Sequence, residues 1–189
     1  MVDTDNNKKK INIQGTNNRY MIKKLIKDSN ERVIKKRIES EDWKFSKEYF
    51  QYYKQMEILK NIYLNNFMYY NDDVSKIIFQ QINKKIASYK QQDILKKHFN
   101  GDKFIGFNNI VVKLIECELK CRYCKEEMTV LYDISRETKQ WSVDRIDNDN
   151  GHNNDNFHLA CLECNLKRRR QTDEKFLFTK QLNIIKHEN

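Results

Sequence analysis

The chain has 189 residues, with 36 Lys and Arg against 27 Asp and Glu, a formal net charge of +9, and 39% hydrophobic and 12% aromatic residues. That mixture excludes a wholly disordered chain, and no apolar run approaches the roughly 20 residues that a membrane span needs. The opening MVDTDNNKKK lacks the apolar core of a secretory signal, so the expectation is an intracellular protein of cytoplasm or nucleus with no membrane partner.

Residues 1–18 are polar and read as a disordered, basic lead-in. From Arg19 to about Ser40, apolar residues recur at helical spacing (Ile22, Leu25, Ile26, Val33, Ile34, Ile38), broken near Asp28 to Asn30. A basic face of Lys23, Lys24, Lys27, Lys35, Lys36 and Arg37 runs beside them and reads first as solvated. From Phe45 to Phe99 the pattern predicts two helices packed as a hairpin, the second starting near Asn71 to Asp73. Its aromatic stripe (Phe45, Tyr49, Tyr52, Tyr53, Tyr63, Phe67) could stack on bases, but at helical spacing it reads as core. Asn100 to Asp102 breaks the helical run, and a short helix from about Asn108 to Cys117 follows. Residues 19–116 thus form a helical region.

The second half differs. Met128 to Ile134 and Trp141 to Ile146 read as strands, Asn156 to Ala160 as another, and Cys161 to Phe176 as a helix with a basic first half. Charge changes too: residues 1–116 carry 23 Lys and Arg against 14 Asp and Glu, whereas residues 117–175 carry 11 against 12. The positive field therefore belongs to the helical half, and nucleic acid is the commonest partner for it. A Lys- and Asn-rich, proline-free composition is also what an AT-rich genome produces, as in many large DNA viruses.

Five cysteines in an intracellular chain do not suggest disulfides. Cys121-x2-Cys124 and Cys161-x2-Cys164, 36 residues apart, supply the four thiolates of a closed, structural zinc site. With every position taken by sulfur, such a zinc staples a small module and does no chemistry. Cys117 stands apart and reads as a buried apolar residue. Between the pairs, Val143 to His152 holds three aspartates (Asp144, Asp147, Asp149), two asparagines and a glycine.

The combination of CRYC, VDRIDNDNGH, DNFHLACLECN and LKRR resembles the HNH endonucleases, also called ββα-metal or His-Me finger nucleases, over about Cys117 to Lys175. The resemblance implies a small zinc-bound ββα-metal module at 117–175; with the mainly helical N-terminal region before it and a C-terminal tail at 176–189, the expected chain is α+β. It implies that Asp144 and Asn165 ligate a catalytic Mg²⁺ or Mn²⁺, in keeping with the preference of hard cations for oxygen. Asn156 matches the family's middle asparagine, which braces the loop. Lys167, Arg168, Arg169 and Arg170 would meet phosphates of DNA, or of RNA or branched DNA.

Many members carry a histidine after the aspartate, and this chain has Arg145. An arginine cannot act as a general base near neutral pH. Arg145 then either clamps the phosphate while another group handles the proton, or the module binds without cutting. His158, which a strand would place on the face of Asn156, and His152 are the substitute bases; Asp147 and Asp149 read as loop-shaping residues. The expected function is metal-dependent hydrolysis of DNA phosphodiester bonds. Its rivals are a catalytically inactive HNH-like module that binds nucleic acid, and a zinc-stapled module whose helical half docks another protein. Oligomeric state is not readable from the sequence.

Overall fold

A computed structural model of the chain describes residues 34–64 and 72–182, and its larger compact unit begins at Lys36. The lead-in at 1–18, most of the helical pattern from Arg19, and Phe67 lie outside the described residues. The end of that pattern is not α-helix but extended chain with a single 3-10 turn at Ile38–Ser40. Nor is Arg37 simply solvated. Its N–H reaches Asp133 O at 2.7 Å, and its guanidinium donates to Tyr132 O and Gln81 Oε1 and lies 4.3 Å over the Tyr132 ring. These tertiary contacts override a helical spacing that by itself is only a weak preference.

Trp43 then stacks on Phe45 at 5.5 Å and on Phe50 at 6.2 Å, and the Phe45 and Phe50 rings meet at a tilt, also at 5.5 Å. Helix α1 (Tyr52–Leu64) buries Met56, Leu59 and Ile62, so the aromatic stripe mostly packs the core, although Tyr53 and Tyr63 remain exposed. Helix α2 (Asp73–Lys96) is capped by Asp72, whose carboxylate accepts Ser75 N–H at 2.8 Å. It ends where Lys97 turns left-handed at φ 60°. Helix α3 (Phe107–Glu116) buries Ile110, Val111 and Leu114 completely. The expected α1–α2 hairpin is not the main contact: each helix packs chiefly on α3, which carries the strongly apolar face between them.

Strand β1 (Trp141–Arg145) pairs antiparallel with β2 (Phe157–Cys161) in the register Asp144 opposite His158. Met128 to Ile134 is not a strand and makes only isolated bridges, such as Thr129 with Gln140. The reason lies in α1. Buried Gln55 accepts the N–H groups of Val130 and Leu131 and donates to Leu131 O, giving the backbone the partners a neighbouring strand would supply.

After β2, the single helix expected from Cys161 to Phe176 is two: α4 (Leu162–Arg168) and α5 (Asp173–Gln181). The break falls at Arg169 (φ 54°, ψ −118°). The Arg168 side chain caps it by donating to Gln171 O. Phe176 is buried, its ring edge-on to Tyr123 at 4.9 Å, so α5 packs on the module; the end of the expected tail, residues 183–189, lies outside the described residues. One apolar core runs from Met56 to Phe176: the helical region and the cysteine-bearing module are built on each other. Among the described residues no helix is long and apolar enough to cross a membrane.

Candidate metal centre and the adjoining carboxylate site

Cys121 and Cys124 sit on the turn after α3, closed by Lys125 N–H to Cys121 O with Lys125 left-handed at φ 60°. Cys161 ends β2 and caps α4, its sulfur accepting from Cys164 N–H at 3.5 Å. Strand, turn and helix thereby bring all four sulfurs within 4.8 Å of one another, with Cys124 and Cys161 at 3.9 Å. A tetrahedron with Zn–S bonds of about 2.3 Å has edges of about 3.8 Å. The four cysteines are positioned to hold one metal ion and suit structural zinc. Their ionisation points the same way. The hydrogen bond from Cys161 draws Cys121 down to about 4, the same contact pushes Cys161 up, and burial lifts Cys164 to about 12. Thiols so close ionise together only around a cation.

The second expected cation site looks different. Asp144 is 4% exposed. Tyr123 donates its hydroxyl to Asp144 Oδ2, and Arg168 Nε stands 2.8 Å from Oδ2 and 3.1 Å from Oδ1. Burial raises the carboxyl's pKa against the pull of these two partners. Arg168 itself is fully buried and also donates to Arg145 O and Gln171 O. Of the four basic residues expected at phosphates, Arg168 is therefore taken up inside the module, while Lys167, Arg169 and Arg170 stay exposed. Lys167 pairs with Glu163 at 2.5 Å.

Asn165, on α4, lies against the same strand. Its amide nitrogen donates to Ser142 Oγ at 3.1 Å and Val143 O at 3.0 Å. A backbone carbonyl only accepts, so the nitrogen must face β1, and the side-chain carbonyl oxygen is the atom left to meet a ligand. The donors at Asp144 and Asn165 are of the kind a hard cation takes. In the arrangement seen, the Arg168 guanidinium holds the carboxylate and competes with any ion for it.

Asn156 braces the loop. Its carbonyl accepts Asp147 N–H, and its amide donates to Asp147 O and Gly151 O. Asp147 in turn accepts from Asp149 N–H and the Asn150 amide, the local turn its sequence suggested. Arg145 donates to Asn150 O at 2.8 Å.

The histidines separate. His158 shares the hairpin face with Asp144, since directly opposed residues project together. Its Nε2 lies 3.4 Å from Asp173 Oδ2, the oxygen that also takes Arg122 at 3.1 Å. Burial, with Arg122, lowers its pKa. His152 is turned away onto α2. Its Nδ1 and its backbone N–H each lie 2.7 Å from Asp93, and its ring stacks on Tyr89 at 4.7 Å. Burial lowers its pKa despite the carboxylate.

Sequence reasoning missed Tyr123, Asp93, Asp173 and the partnership of Arg168 with Asp144. Only the i, i+3 spacing of Asn165 and Arg168 on one helix hinted that both would face β1. Cys117, half-buried at the end of α3, donates weakly to Leu114 O.

No family model, curated protein or solved structure matches the chain. The metal centre and the hairpin–helix unit beside it therefore rest on the chain's own geometry.

Proposed function

We propose that this chain is a zinc-stapled endonuclease module of the HNH type that hydrolyses phosphodiester bonds of DNA. The observation that supports it is the β1–β2–α4 unit, which sets the Asp144 carboxylate and the Asn165 side chain against the same stretch of β1, with Asn156 bracing the loop between them. A divalent ion bound by those two oxygens would supply Lewis-acid stabilisation of the phosphate. Arg145, protonated at all ordinary pH values, suits a phosphate clamp rather than a base. His158 is the imidazole on the Asp144 face.

One observation favours a second reading, a zinc-stapled module that holds nucleic acid without cutting it. Arg168 already neutralises Asp144 from within the fold. Supercoiled plasmid incubated with Mg²⁺ or Mn²⁺ separates the two. Nicking by the zinc-loaded chain that is abolished in both Asp144→Ala and Asn165→Ala supports the nuclease. An intact plasmid under every metal, with the DNA nonetheless bound, supports the second reading. Nicking that survives both substitutions overturns the site.

A further inference from the structure

A cleft of about 490 Å³ opens between the C-terminal end of α2 and the residues that follow α4. Lys96 and His98 form one wall and Arg169 and Arg170 the other, with Arg145 at the end of β1 between them. Four fixed positive charges there face one carboxylate, Asp149. No member of the four takes part in an ion pair among the described residues. This sets the cleft apart from the groove beside Cys117, where Lys113, Lys120 and Arg122 are paired with Glu116, Glu118 and Asp173 and, among the described residues, Lys125 alone has no ion pair.

Unpaired cations converging on a concave surface repel one another and destabilise the fold unless an anion joins them. The cleft is also built rather than accidental. Arg145 is aimed by its bond to Asn150 O. Asn148, also in the cleft, donates to Arg169 O and accepts from buried Arg168. Arg169 is kept at φ 54°, ψ −118°, a backbone conformation that suits glycine and is strained for arginine. Such strain at a side chain that lines the cleft is the kind that clusters at ligand sites.

We infer that this cleft seats the sugar–phosphate backbone of a nucleic acid strand, with α2 of the helical region supplying one wall. The inference rests on the proposed nucleic-acid function and goes beyond it, because Lys96 and His98 lie outside the module that carries the cysteines. The ligand chemistry is a row of phosphodiesters, which duplex and single-stranded DNA both present.

The test is fluorescence anisotropy of the full-length, zinc-loaded chain with a labelled 20-base-pair duplex and, separately, its labelled single strand. No other divalent ion is added, and salt runs from 50 to 200 mM. Every phosphate no longer neutralised lowers the slope of log affinity against log salt by about 0.9 for duplex and about 0.7 for single strand. Lys96→Gln with Arg169→Gly and Arg170→Gln is expected to lower it by about 2.7 on the duplex, or about 2.1 on the single strand; the larger drop in affinity names the strand form seated. Lys96→Gln alone is expected to weaken binding about threefold at the upper salt. Arg169→Gly is expected to raise the melting temperature while weakening binding, which a merely structural role could not produce.

Unchanged affinity and slope in the triple variant, with zinc content and melting intact, overturns the cleft. So does an unaltered Lys96→Gln, which confines binding to the module. Displacement of the DNA by poly-glutamate at equal charge overturns the phosphate assignment. Failure of the underlying function looks different: the wild type then binds neither DNA at 50 mM salt.

Discussion

Two groups of metal-ligand type side chains on the hairpin–helix unit, the four cysteines and Asp144 with Asn165, are held by opposite means. The cysteine cluster gathers four soft donors, and the two lysines near enough to feel their charge, Lys139 and Lys167, are paired with Glu126 and Glu163. At Asp144 the carboxylate is already balanced from within, by Arg168 and the Tyr123 hydroxyl. The contrast teaches that a ligand-type residue at the right spacing is necessary for a metal site but not sufficient. What else the fold aims at that residue decides whether it is open.

The contrast can be broken most forcefully at the cysteines. Structural zinc contributes about 10–16 kcal/mol in small modules, as much as the roughly 5–15 kcal/mol net stability of a whole domain. Chelation, or Cys164→Ala, is thus expected to unfold the shared core, read as loss of near-ultraviolet dichroism from buried Trp141. A chain that keeps that signal without metal is not stapled there.

At Asp144 the expected effect is smaller and its sign depends on the partner removed. Arg168→Ala strands a buried carboxylate and should cost about 3–5 kcal/mol in urea unfolding. Adding Asp144→Leu to it should recover much of that deficit, since an apolar replacement of a buried pair is often neutral. If the single variant is as stable as wild type, the pair does not hold the fold. Mn²⁺ binding followed by electron paramagnetic resonance sharpens the point: Arg168→Gln should bind the ion more tightly than wild type if the guanidinium competes for the carboxylate.

The loop between the strands gives a steric test. A Cβ at Gly151 would meet His98 O at 2.5 Å and Asp93 Oδ2 at 3.0 Å. Gly151→Ala should therefore cost about 1–3 kcal/mol and disturb both the His152–Asp93 pair and the cleft wall at His98. An unaffected melting temperature would mean that the loop does not pack on α2.

The smallest expected effect is on pH dependence. His152 and His158 have pKa values lowered by burial from the ordinary 6.5, so the unfolded chain binds more protons than the folded one just below that value. Their contribution to stability is complete above it and declines as the pH falls toward the folded values. The His152 ring, followed by NMR, should titrate below 6.5; a midpoint above it would mean that Asp93 outweighs burial.

Much was legible in the chain itself. Helices α2 and α3 announced themselves through the Asp72 cap and apolar periodicity, β1 and β2 through short apolar runs, and the metal centre through two C-x2-C pairs. Each of these signals is local: a cap, a period or a tight turn acts over a few residues and needs no distant partner. The Asn156 brace was readable only through the family resemblance.

Other features needed the folded chain. Met128 to Ile134 is no strand because Gln55, far earlier in the chain, satisfies its backbone. Arg168 is buried rather than exposed because α4 turns it onto Asp144. Lys96 joined Arg169 and Arg170 because α2 ends beside α4. Residue type and spacing alone determined that a four-sulfur metal centre would staple a hairpin–helix unit. Which charges are spent inside the fold and which face a ligand was decided by tertiary structure, because burial and pairing depend on residues far apart in the chain.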